Sequence, residues 1–197
     1  MKGLALIART SLLAGIGLGL IGFGASAAEG LRTAPSFTFN IPGKEPQTLE
    51  QYRGKVVALE FIFTTCPHCQ AASHLMSKLQ DEYGPRGLQV LDVAVNPNAD
   101  LKVDDFAREQ HTTFPVGWVT QQQMVSFMNF GSERFVVPQL VLIDRKGVIH
   151  YQTPAMESDD WDKMMTEEAI RKHIEELLGA KSAANHKPVH PSVASTK

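Results

Sequence analysis

Residues 56–70 read VVALEFIFTTCPHCQ. From Val56 to Phe63 the run is apolar apart from Glu60, and a short run that is apolar at both alternating positions fits a strand buried on both faces, as in a parallel sheet. The next segment, AASHLMSKLQDEY over 71–83, carries apolar residues at helical spacing. Cys66-Pro67-His68-Cys69 therefore falls where a strand feeds the first turn of a helix. A helix N-terminus offers unpaired N–H groups and partial positive charge, which favour a thiolate over a thiol at Cys66. Cys66 is the candidate nucleophile. Cys69 lies one turn further in on the same helix face, where it can attack a mixed disulfide formed at Cys66, and is the candidate resolving thiol.

Working outward, the rest of the chain leaves the cysteine chemistry in this one place, because the 197 residues contain only these two cysteines. That length fits one domain of ordinary size with tails, and 43% hydrophobic residues can build its core. A net charge of −2 without a basic block gives no reason to expect nucleic acid as a partner. At the start, Lys2 and Arg9 precede an uncharged, Gly- and Leu-rich run that ends in Ala25-Ser26-Ala27-Ala28. Residues 1–28 are thus expected to be a secretory signal cut after Ala27, or else an uncleaved membrane anchor over 10–28. Both readings export the rest of the chain, to a periplasm or similar compartment where disulfides persist and need managing. With no cysteine at the cleavage point, a lipoprotein anchor is not expected.

Between that leader and the central strand, Phe37 and Phe39 alternate ahead of Pro42-Gly43-Lys44, which predicts a short β-hairpin covering a sheet edge, then a helical turn over 49–52. Beyond the helix over 67–82, residues 84–87 (GPRG) break the chain and LQVLDVAV over 88–95 forms a second strand. A loop over 96–102 and a helix over 103–110 follow. Strand, helix, strand, helix implies right-handed crossovers and a parallel sheet in an α/β domain. Residues 114–119 give a short third strand and 121–130 a short helix, with Met124, Phe127 and Met128 on one side as core filler. Arg145-Lys146-Gly147 joins strands 140–144 and 148–151 in an antiparallel hairpin, so the sheet is mixed. Over 166–178 Thr166 caps a helix with Glu167 and Glu168 in its first turn and Gly179 behind it. Residues 180–197 are small, polar and without apolar period, a tail expected to be disordered, and the domain proper is expected over 29–179.

Four features, in order, resemble the thioredoxin superfamily and within it the exported TlpA/ResA-like redoxins: Ala34-Pro35-Ser36-Phe37 before a hairpin, the strand ending at Cys66-Pro67-His68-Cys69, Val137-Pro138 before the last hairpin, and a C-terminal helix. The likeness covers about residues 33–178. It implies a thioredoxin-like fold, a central mixed β-sheet flanked by helices with an N-terminal hairpin, and protein thiol–disulfide exchange without a cofactor or metal. It also implies that Pro138 follows a cis bond and faces the cysteines, with the Val137 backbone pairing to substrate peptide. Glu60, six residues before Cys66, stands where the family keeps a buried acid. An ionised carboxylate inside an apolar strand is costly, so its pKa should be raised, which suits a proton shuttle for Cys69. The bland alternative is a carboxylate reaching solvent at a strand end.

The departures are Thr65 where the family has tryptophan and Ala72 where many TlpA-like reductases have glutamate. The dipeptide Pro67-His68 matches DsbA-like oxidases, and a histidine there stabilises the Cys66 thiolate and makes the disulfide a stronger oxidant. The frame is that of a disulfide reductase; the motif is that of a disulfide donor. A TlpA-like disulfide reductase, serviced by a redox partner that resets the cysteine pair, is the leading expectation. The alternatives are a DsbA-like donor and a copper-binding metallochaperone, because soft thiolates also suit Cu(I).

Overall fold

The structure is a computed structural model that describes residues 31–132 and 134–179. The signal or anchor expected over 1–28 and the tail expected over 180–197 lie outside the described residues. In chain order the elements are β1 (Arg32–Thr33), β2 (Thr38–Phe39), β3 (Gln47–Thr48), a 3-10 turn (Leu49–Tyr52), β4 (Val56–Ile62), α1 (Pro67–Tyr83), β5 (Leu88–Ala94), α2 (Val103–Glu109), β6 (Val116–Trp118), α3 (Gln121–Met128), β7 (Gln139–Ile143), β8 (Val148–Gln152), α4 (Asp159–Met164) and α5 (Glu167–Leu178). Strands β1, β8, β7, β4, β5 and β6 form one sheet in that order, and β2 and β3 form a separate hairpin. The sheet is mixed: β4 runs parallel to β5 and antiparallel to β7.

All seven residues of β4 are buried, and the two-residue period of a strand divides them between two cores. Val56, Ala58 and Ile62 face one cluster, with Met76 and Leu79 of α1, Phe106 of α2 and Ile170 and Ile174 of α5. Val57, Leu59 and Phe61 face the other, with Phe37 and Phe39 and with Met124, Phe127 and Met128 of α3. The methionines are core filler, as their spacing suggests. In the second cluster the Phe37 ring meets those of Phe61 and Phe127 at centroid distances of 5.7 and 4.7 Å, which adds to area burial. Glu60 has the parity of Ala58 and Ile62, so its carboxyl enters the core under α1.

Helix α5 begins with the Thr166 hydroxyl accepting the Ala169 N–H at 3.2 Å and ends with Gly179 in the left-handed region. Two elements were not foreseen: β1, which pairs antiparallel with β8 through Arg32 and Ile149, and α4, capped by the Ser158 hydroxyl at 3.2 Å from the Trp161 nitrogen. The loop expected over 96–102 contains a 3-10 turn at Ala99–Leu101.

The N-terminal hairpin covers the β6 edge as expected. Asn40 exchanges backbone hydrogen bonds with Trp118 at 3.1 and 2.8 Å. Gly117 makes that approach possible: a Cβ there would stand 2.6 Å from the Asn40 carbonyl oxygen and 2.7 Å from the Phe39 ring. Gly117→Ala should therefore lower stability by about 1–3 kcal/mol through overpacking. A reduced denaturant midpoint at unchanged slope would show it, with Cys66 reactivity unaltered.

Candidate functional site

Strand β4 ends at Ile62, and Phe63, Thr64 and Thr65 carry the chain to Cys66, the N-cap of α1. This connection is held at both ends. The Thr64 N–H donates to Asn96 Oδ1 at 2.8 Å, and the Cys66 N–H to the Phe63 carbonyl at 3.1 Å. Pro67 occupies the first helical position, where its missing N–H costs nothing and its φ is already helical. As N-cap, Cys66 accepts the Cys69 N–H on Sγ at 3.4 Å, the place a serine or aspartate oxygen usually fills. The same donor and the helix dipole stabilise a thiolate.

The two sulfurs stand in unlike surroundings. Cys66 is half-buried while Cys69 is fully buried, its Sγ accepting the Phe63 N–H at 3.5 Å. Burial first, then the neighbouring Cys66 and Glu60, push the Cys69 thiol well above its ordinary range. One sulfur is accessible at the helix N-cap; the one behind it is held as a thiol. Pro67 and His68 are exposed.

The Val137–Pro138 bond is cis, and Val137 packs on the same cluster as Cys66. The Val137 backbone makes no hydrogen bond among the described residues. Gln139, fully buried, braces this loop: its amide donates to the carbonyls of Val136 at 2.9 Å and Pro154 at 3.1 Å, and its oxygen accepts the Thr153 hydroxyl at 2.6 Å. Between α1, the proline loop and α4 runs a mostly apolar groove of about 300 Å³, lined by His68, Leu75, Met76, Pro138, Trp161 and Met165.

Glu60 is fully buried in the middle of β4, which removes the alternative of a strand-end carboxylate in water. On β5 its register partner is Asp92, also fully buried. Asp92 Oδ2 accepts the Ser73 hydroxyl at 2.6 Å, and Ser73 lies one turn beyond Cys69 on the buried face of α1. Burial, then the charge of Asp92, raises the Glu60 carboxyl well above the usual carboxylate range. Burial pushes Asp92 up to about 7, against the opposing hydrogen bond from Ser73.

The fold thus gathers Cys66, Cys69, Pro67, His68, Glu60, Val137 and Pro138 around the N-terminus of α1. Sequence reasoning passed over Asp92, Ser73, Gln139 and Trp161. Asp92 carried a legible signal, the lone acid in a strand whose only other polar residue is Gln89. The others become visible only when helix and loop are packed on the sheet.

A family model described as "AhpC/TSA family" matches residues 31–152. The chain is similar to "Thiol-disulfide oxidoreductase ResA" of Geobacillus kaustophilus, 30% identical over 145 residues that cover 74% of this chain and 76% of the relative. The protein of the same name from Geobacillus thermodenitrificans is 31% identical over 146 residues, with the same two coverages of 74% and 76%. Among solved structures, a thiol:disulfide interchange protein of the thioredoxin family from Chlorobium tepidum superposes with a TM-score of 0.61 at 21% identity, over 76% of this chain and 97% of that one. That likeness extends to the fold.

Proposed function

This chain belongs to the AhpC/TSA family and is a thiol–disulfide oxidoreductase of the ResA type on a thioredoxin-like fold, and from that premise we propose that it is an exported, TlpA-like disulfide reductase in which Cys66 attacks and Cys69 resolves. The supporting observation is the contrast between a half-buried Cys66 that caps α1 and a buried Cys69 behind it. The Cys66 thiolate attacks a substrate disulfide R–S–S–R′, the S–S bond breaks, and R′S⁻ leaves. Cys69 then loses its proton and attacks Cys66 Sγ. The second substrate sulfur leaves as RS⁻ and the enzyme dithiol becomes the Cys66–Cys69 disulfide. The substrate is reduced by two electrons, and a separate dithiol partner resets the enzyme.

Glu60 is the acceptor for the Cys69 proton in this reading, which its burial and raised pKa support. Val137, with its backbone groups unengaged beside Pro138, is the segment on which an extended substrate peptide pairs. Export rests on residues 1–28. No helix among the described residues is long and apolar enough to cross a membrane; the anchor in this reading is the uncharged run over 10–28.

The direction of electron flow turns on how strongly the Cys66 thiolate is stabilised. Its one hydrogen-bond donor among the described residues is the Cys69 N–H at 3.4 Å, a modest stabilisation that favours a reductant. His68 is the observation that favours the opposite reading, a disulfide donor, because an imidazole between the cysteines stabilises the thiolate. A copper-carrying role has less support: among the described residues no group of three or more His, Cys, Asp or Glu is placed to hold a metal. Equilibrating the pair in dithiothreitol buffers, with residues 1–28 removed, should give a potential near roughly −270 mV, the thioredoxin end of the known range. A value near roughly −120 mV would replace the reductase by a disulfide donor.

A further inference from the structure

Neither oxygen of Glu60 has a hydrogen-bond donor among the described residues, and Asp92 Oδ1 has none either. These atoms belong to two carboxyls at one register step of adjacent strands, closed off from water. Two ionised carboxylates there would be acceptor against acceptor, each repelling the other in a low dielectric. A proton between them turns that repulsion into a hydrogen bond.

We propose that Glu60 and Asp92 hold one proton between them and act as a single proton acceptor for Cys69, with Asp92, anchored by Ser73, the positioning residue of the pair. This rests on the reading of Cys69 as resolving thiol. The Ser73 hydroxyl occupies Asp92 Oδ2, which leaves Oδ1 for the shared proton. When Cys69 attacks Cys66 Sγ, its proton passes to Glu60 while the shared proton settles on Asp92. The bond between Cys66 and the substrate sulfur breaks, the bond between Cys66 and Cys69 forms, and the electron pair leaves on the substrate thiolate. The carboxyl pair goes from one negative charge to none, so no net charge is created in the core during the step. It returns to one negative charge when a proton is released to solvent or to the leaving thiolate.

The surroundings leave little else to titrate. On α1 the groups facing the pair are Cys66, Cys69 and Ser73. Strand β7 presents Leu140 beside Glu60, and β6 pairs Val116 with Asp92. From α2 come Val103 and Phe106, while its Asp104, Asp105, Arg108 and Glu109 are exposed. Helix α5 contributes Ile170, Ile174 and Leu178 to the same cluster.

The test uses reduced protein and an aromatic disulfide that releases a coloured thiolate. The first release reports attack by Cys66, and the second reports resolution by Cys69. Asp92→Asn should shift the pH profile of the second phase upward, because the Glu60 carboxylate then keeps at most an amide donor in place of the shared proton. Ser73→Ala should shift it upward, because Asp92 loses its donor and the pair keeps a second proton to higher pH. The first phase should keep its profile in both variants. Wild-type protein at neutral pH should also show the infrared carbonyl band of a buried protonated carboxyl, absent in Glu60→Gln. Equal shifts in both phases, an unmoved second phase, or no such band overturns the proposal while leaving the roles of the cysteines standing. A protein that gives a first release and no second overturns the resolving role and the proposal together. If Asp92→Asn does not fold, Ser73→Ala and the wild-type band still decide.

Discussion

Cys69→Ser should trap the enzyme on its substrate. The variant retains the half-buried Cys66 at the N-cap of α1, so attack on a disulfide proceeds and the mixed disulfide forms. What is lost is the intramolecular thiol one turn away, and with it the high effective concentration that makes resolution faster than any encounter with an outside thiol. Turnover should fall by at least about a thousandfold, with a covalent enzyme–substrate species accumulating that dithiothreitol releases. Cys66→Ser should lose turnover as completely but trap nothing, because the remaining sulfur is fully buried. Non-reducing gels and intact mass after mixing with a protein disulfide separate the two. A Cys69→Ser variant that turns over at the wild-type rate, or a Cys66→Ser variant that forms the adduct, would reverse the assignment of roles.

The second large effect is on stability. Glu60 and Asp92 are acids whose folded pKa values lie above their unfolded values of roughly 4. Between those values the folded protein binds more protons than the unfolded one, so stability is highest in mild acid and falls as pH rises through neutrality. For Asp92, pushed up to about 7 by burial, the loss is of the order of a few kcal/mol. Glu60→Gln keeps the shape and removes one acid. It should raise the melting temperature at pH 8 by about 5 °C, corresponding to roughly 2 kcal/mol, and flatten the dependence on pH, while slowing resolution by Cys69. Thermal unfolding of the reduced protein between about pH 5 and 8 measures this. A wild-type stability that climbs over that range would mean the pair is not a protonated buried unit.

Much of this was legible before folding, and the parts that were not share a cause. The run 56–63 declared a doubly buried strand because its apolar pattern is continuous, and Cys66 and Cys69 declared themselves by spacing and by being the only cysteines. Helix α5 carried its own start and stop signals in Thr166 and Gly179. Helix α4, by contrast, spans only Asp159–Met164, too short for an apolar period to declare it. It is held through packing of Met164 and Met165 on the core and through a hydrogen bond from the Tyr151 hydroxyl to the Met164 carbonyl. Strand β1 is two residues long, too short to show alternation. Asp92 stood in plain view, but that it lies beside Glu60 depends on the register between two parallel strands joined by a whole helix, which no local pattern encodes. Gln139 reads as a polar residue entering a strand, and its role in bracing the Pro138 loop arises from segments 14 to 16 positions away.

The alternation of β4 between two cores also limits which insertions and deletions the gene can accept. Adding or removing one codon between Val56 and Glu60 would reverse the facing of the residues on one side of the change. The carboxyl would then turn from Asp92 and the cysteines toward Phe37, Phe39 and Phe127, or the strand would have to slip in its pairing with β5 and β7. Length variation among descendants of this chain should therefore collect in the 96–102 connection and over 129–132, outside the strands. The interval from Glu60 to Cys66 should stay constant, because it sets both which core receives the acid and which helix end receives the sulfur.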